Sequence, residues 1–118
     1  MNHVTRYALD VTRPGRDTLR DRSYAIFGNR YVVEVVAAIA ATSKPRARFT
    51  VRMIAARTEL TDSLVKLVTQ RLVNAQLLRR LPQDRPRAPA YHEVQRSGGK
   101  WDALVDLCAR LAKNAPRS

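Results

Sequence analysis

A single cysteine, Cys108, stands in the 118 residues, so no internal disulfide can staple the chain, as suits a reducing compartment. Long apolar runs are missing too. The longest, Tyr31 to Ala41, is interrupted by Glu34 and too short to cross a bilayer. The opening MNHVTRYALDVTRPGR lacks the unbroken apolar core of a secretory signal. These absences predict a cytoplasmic protein that does not engage a membrane. Glycine is scarce, and the Gly98-Gly99-Lys100 run has neither the spacing nor the following hydroxyl of a phosphate-binding loop. It reads as a turn leading into a helix. His3, His92 and Cys108 lie too far apart for metal-ligand spacing, and no nucleophile, base and orienting residue group together. Neither a metal, another cofactor nor an enzymatic activity is expected.

Acid is the scarcer sign of charge: 10 acidic residues face 22 basic ones, most of them arginine, for a formal net charge of +12. Arginine forks pair well with phosphate, so the excess points to a polyanionic partner, with nucleic acid first among them. An anionic membrane surface or a large acidic protein would satisfy the same charge. The length favours one domain, and an apolar fraction of 45% is enough to give it a core.

Along the chain, residues 1–22 alternate charged, polar and isolated apolar positions around Pro14-Gly15 and read as a basic N-terminal arm. Within it, Arg13 and Arg16 flank the Pro-Gly pair as an extended arm in a minor groove would need. Residues 23–113 form the expected domain, and 114–118 a tail. Asn29 can cap a helix through RYVVEVVAAIAA, in which Val32, Val36 and Ile39 make one stripe. Val33, Ala37 and Ala41 make a second, so this helix is covered on two sides, with Glu34 pointing away. Pro45 interrupts the pattern. Arg48-Phe49 suits a very short strand before Thr50, a helix cap.

The segment from Thr50 to Arg80 reads as two amphipathic helices and a tight turn. Val51, Ile54 and Ala55 share one face of the first. In the second, capped by Thr61, Val65, Val68 and Leu72 recur at helical spacing. Steps of about 100° then put Ser63, Lys66, Leu67, Gln70, Arg71 and Asn74 outward. That face holds no carboxylate. Its chemistry fits a major groove: Gln and Asn pair with adenine, Arg and Lys with guanine, and Leu67 can touch a thymine methyl. A solvated surface helix carries the same pattern, so the basic hairpin that follows matters. LLRRL and AYHEVQR read as strands around PQDRPRAP, whose prolines exclude helix. Arg79, Arg80, Arg85 and Arg87 stud this protrusion. A final helix over about 99–113 carries Trp101, Leu104, Cys108 and Leu111 as a stripe, with Leu107 beside it.

This order of elements, and the run IAARTELTDSLVKLVTQRLVNAQLLRRLP, resemble the winged helix-turn-helix regulators of bacteria, the broad group of MarR-, ArsR- and HxlR-like proteins. The resemblance spans roughly Asn29 to Arg96. It implies an α+β, mainly helical fold with a β-hairpin wing and a C-terminal helix. It also implies a recognition helix at about 61–75, a wing at about 79–96, and a homodimer commonly built from terminal helices. The stripe of the last helix is first of all ordinary packing against the domain, with Cys108 a small buried side chain; Trp101, Leu104, Leu107, Cys108 and Leu111 are at the same time the candidate dimer contacts. Glu59 stands where the group often has a turn glycine, and Gln76 where it has one before the first wing strand.

The function expected is sequence-specific binding of double-stranded DNA in transcriptional control, in the nucleoid. Repression is what the resemblance implies. Thr61, Ser63, Lys66, Leu67, Gln70, Arg71 and Asn74 are the recognition-helix candidates; Arg52, Arg57, Arg79, Arg80, Arg85 and Arg87 are the backbone candidates. Two alternatives stay open. One is an architectural or partition-type DNA binder of low sequence preference. The other is a protein-interaction module whose basic face and whose Leu64, Leu67 and Val73 dock an acidic partner. The sequence names no small-molecule effector.

Overall fold

A computed structural model describes residues 13–42 and 47–113. Five helices and one hairpin follow in the order α1 (Arg13–Phe27), α2 (Val32–Thr42), α3 (Val51–Thr58), α4 (Asp62–Asn74), β1 (Leu78–Arg80), β2 (His92–Val94) and α5 (Lys100–Lys113). The expected break at Pro45, the arm residues 1–12 and the tail 114–118 lie outside the described residues.

Helix α2 is the axle of the domain. Val32 through Ile39 are all buried, with α1, α3, α4 and α5 packed around them. Both of its expected apolar stripes are therefore used. Tyr31, and not the expected Asn29, takes the cap position, its carbonyl accepting the Val35 amide at 3.0 Å; Asn29 lies two residues outside the cap, its side-chain oxygen accepting the Tyr31 amide at 2.8 Å. Glu34, however, does not point to solvent. Because α2 is enclosed on every side, its carboxylate is buried and takes two hydrogen bonds from Arg20, from Nε at 2.5 Å and from Nη2 at 3.0 Å. The Arg20 guanidinium also lies over the Tyr31 ring at 5.1 Å, and its bond to Glu34 raises its already high pKa.

That pair belongs to a helix where the sequence pattern points to an arm. From Arg13 on, the chain is α1, with Leu19 fully buried against the core. Pro14 does not break it, because the first turn of a helix contains amides that need no intrahelical partner. Arg13 and Arg16, expected in an extended minor-groove arm, lie instead in the first turns of α1. At the other end, Gly28 adopts the left-handed conformation, φ 71°, and closes α1, its N–H donating a hydrogen bond to the Tyr24 carbonyl at 2.8 Å. Residues 15–27 and 32–42 then meet at a 99° bend. Among the described residues no single helix is long and apolar enough to cross a membrane.

The helix pair α3 and α4 forms as its caps dictate. Thr50 accepts the Met53 amide and Thr61 the Leu64 amide, each at 3.2 Å. The turn between them passes through Glu59 at φ 61°, and the turn after α4 through Gln76 at φ 63°. Gln76 heads a Schellman closure, its amide bonded to the Val73 carbonyl and that of Leu77 to the Leu72 carbonyl, both at 2.9 Å. The two places where the sequence departs from glycine are thus the two non-glycine residues held left-handed among those described. Glu59→Gly and Gln76→Gly should each stabilise the domain by about 0.5–1 kcal/mol, the strain relieved exceeding glycine's extra unfolded-state entropy. Urea midpoints of the two variants check this.

Strands β1 and β2 pair antiparallel with Leu78 opposite Val94, Arg79 opposite Glu93 and Arg80 opposite His92. The short strand expected at Arg48-Phe49 is a single bridge: Phe49 and His92 exchange backbone bonds of 3.0 and 2.8 Å. Their rings stack at 5.7 Å. After a tight turn at Ser97–Gly99, α5 returns across α2. Trp101 and Cys108 are buried, so they serve this chain's own core. Leu104 and Leu111 are half-buried against the same core, which leaves Leu107 as the exposed member of the candidate dimer set. Burial pushes the Cys108 thiol up to about 12, which leaves it without thiolate character.

Candidate nucleic-acid interface

Helix α4 divides by chemistry. Val65, Val68, Thr69 and Leu72 are buried, while Ser63, Lys66, Leu67, Gln70, Arg71 and Asn74 are exposed. The inward apolar stripe leaves these six no other side of the cylinder. Thr61 is exposed at the cap and is spent on the Leu64 amide. The centre of the outward face is Ser63, Leu67, Gln70 and Asn74, with Leu67 59% exposed. Lys66 and Arg71 form opposite flanks of it.

On the Lys66 flank, α4, the start of α3 and the wing enclose an open groove of about 370 Å³. Arg52, Lys66 and Arg80 line it together with Thr50, Gln70 and His92, over an apolar wall that includes Val73 and Pro89. Three consecutive elements, α3, α4 and β1, therefore bring one cation each to a single trough. Arg52 is held only loosely, 3.9 Å from the exposed Asp62, and its guanidinium stays available to an anion. His92 sits at the base of the groove, buried, with Nδ1 bonded to nothing among the described residues. Burial pushes its pKa down, and the charge of Arg80 pushes the same way.

The remaining cations differ in availability. Arg79 is engaged in an ion pair with its cross-strand neighbour Glu93. Arg85 and Arg87 are exposed in the loop between the strands. That loop is braced from within: the Leu81 amide reaches the Tyr91 carbonyl at 2.8 Å, the Ala88 amide reaches Arg85 at 3.0 Å, and the Gln83 side chain donates to the Ala88 carbonyl. Arg57 is exposed at the end of α3, at a site where the helix dipole favours a cation. Arg71 donates to the Phe27 carbonyl at 3.0 Å and so faces the corner between α1 and α2. Sequence reasoning finds each groove cation singly but misses Thr50 and His92 as their neighbours. The signal for both is the Phe49–His92 bridge, which no local pattern contains.

Helix, turn, helix and hairpin in this arrangement make the chain a winged helix-turn-helix protein. Its fold is similar to that of wild-type MarR from E. coli in the apo form, with a TM-score of 0.60 and 15% sequence identity, over 84% of this chain and 68% of that one. No protein-family model and no curated protein matches the sequence.

Proposed function

We propose that this chain is a sequence-specific double-stranded DNA-binding transcription regulator, without enzymatic activity, in which α4 enters the major groove and the wing lies along the phosphates. The observation that carries the reading is the outward face of α4: Ser63, Lys66, Leu67, Gln70 and Asn74 are exposed together, with no carboxylate among them, beside a trough lined by Arg52, Lys66 and Arg80. Ser63, Gln70 and Asn74 read base edges and Leu67 meets a thymine methyl. The exposed arginines supply sequence-independent affinity. The chain acts as a homodimer and a repressor in this proposal, presenting two reading helices to an inverted repeat with half-sites about one helical turn apart.

The test is selection of randomised duplexes by the purified protein at physiological salt, repeated with two variants. Gln70→Ala should relax preference at particular base positions, worth about 1–3 kcal/mol at each. Arg85→Ala should weaken all duplexes alike and flatten the salt slope by about one. Identical, sequence-independent effects of the two changes would remove α4 from its reading role. Retention of DNA without any motif would replace the regulator by an architectural binder, and no retention would replace DNA by a protein partner.

A further inference from the structure

We infer that Arg71 is a positioning residue, which ties the reading helix to the corner between α1 and α2 and does not itself read a base; the inference rests on the DNA-binding role proposed for α4. Arg71 Nη1 donates to the Phe27 carbonyl at 3.0 Å, across 44 residues of sequence. Phe27 is the last residue of α1, so its carbonyl is one of those that a helix end leaves without an intrahelical partner. The last turn of α1 holds no basic residue of its own. The partial negative charge that accumulates there is therefore met by a cation sent from α4.

Geometry explains why this cation is Arg71. In steps of about 100° it lies beside the half-buried Leu64 and on the flank opposite Lys66, away from the centre of the outward face. Gly28 follows Phe27 with φ 71°, turning the chain under the guanidinium, whose Nη1 would lie 3.9 Å from a Cβ placed at that glycine. The corner is closed on its inner side as well: the Ser23 hydroxyl donates to the Asn29 carbonyl at 2.7 Å and accepts the Val33 amide at 3.3 Å. The bend between α1 and α2 is thus pinned within by Ser23 and from α4 by Arg71. Through that second pin, the angle at which Ser63, Gln70 and Asn74 meet DNA is referred to α1 as well as to α3.

The experiment compares Arg71→Ala and Arg71→Lys with the wild-type full chain by two readouts. Amide hydrogen exchange without DNA should quicken at residues 27–31 in Arg71→Ala and return most of the way in Arg71→Lys, which keeps one donor. Binding to the selected duplex and its single-mismatch variants, across a salt series, should fall about three- to tenfold for every duplex in Arg71→Ala, with base preference and salt slope unchanged. Lysine should again restore most of the loss. Relaxed preference at one base position would make Arg71 a base reader and overturn the inference, and a salt slope shallower by about one would make it a phosphate contact. Unaltered exchange at the corner would overturn it equally. A wild-type chain that holds no duplex rejects the DNA-binding reading itself, and with it the positioning of a reading helix, whatever the exchange data show of the contact.

Discussion

Arg20→Ala should cost the domain about 2–4 kcal/mol of unfolding free energy, a little under the range for breaking a fully buried ion pair, because Arg20 keeps some water. The Glu34 side chain is 5% exposed and that of Arg20 22%. Both Glu34 oxygens are committed to the guanidinium. Removing Arg20 leaves a buried carboxylate with neither counter-charge nor side-chain donor among the described residues, and also strips the stacking cation from Tyr31. Desolvation outweighs attraction in such pairs, so the size of the loss measures the orphaned charge more than the bond. A second variant exposes that distinction: Arg20→Met combined with Glu34→Leu removes both charges, keeps similar volumes, and should recover most of the stability. Arg20→Lys should recover only part, since an ammonium cannot reproduce the fork. Denaturant unfolding of the three proteins decides the matter. A loss below about 1 kcal/mol in Arg20→Ala would mean that water reaches Glu34 and that Leu19 and the Ser23 corner dock α1 without the ion pair.

Helix α1 is also the part of the fold least legible in the sequence, for the same physical reason. RPGRDTLRDRSYAIF has one fully buried apolar anchor, Leu19, and its polar pattern reads locally as a solvated segment. What holds it in place is an ion pair to a residue fourteen positions away and a corner built on Ser23, neither of which leaves a periodic trace. Glu34 is misread with it, since a lone carboxylate in an apolar helix is ordinarily turned to water. By contrast, elements whose signals are local are readable. The caps Thr50 and Thr61 bond the amides expected of them. The prolines of the wing lie between its strands, and Gly98-Gly99 opens α5. The outward face of α4 is legible for the same reason, because the buried Val65, Val68 and Leu72 dictate what the other side must be.

Two ambiguities need the tertiary fold. An apolar stripe does not say whose core it joins, and of the two readings open for α5 the fold places Trp101 and Cys108 in the core of their own chain. Likewise, counting arginines does not sort them. Arg79 and Arg80 are neighbours in sequence, yet strand alternation sends them to opposite faces of the hairpin: Arg79 to Glu93, Arg80 to the trough.

That sorting leads to the largest effect expected on DNA binding. The triple change Arg52→Ala, Lys66→Ala and Arg80→Ala should lower affinity for the selected duplex by about a hundredfold at physiological salt and make the salt slope shallower by about three, one for each phosphate no longer neutralised. All three side chains are exposed, and among the described residues only Arg52 of the three has an ion-pair partner, at 3.9 Å, so thermal stability should barely change. The base preference of the selected motif should survive, since Ser63, Gln70 and Asn74 remain. Arg79→Ala is the control: its guanidinium is already satisfied by Glu93, so its removal should cost less affinity than any one of the three. Titrations of the wild type, the triple variant, each of its single changes and Arg79→Ala, at several salt concentrations, separate the alternatives. An unchanged slope in the triple variant would mean that the trough does not receive phosphate. An Arg79→Ala loss equal to that of Arg80→Ala would mean that the field of the whole basic surface, and not the convergence of α3, α4 and the wing on one groove, is what draws the polyanion in.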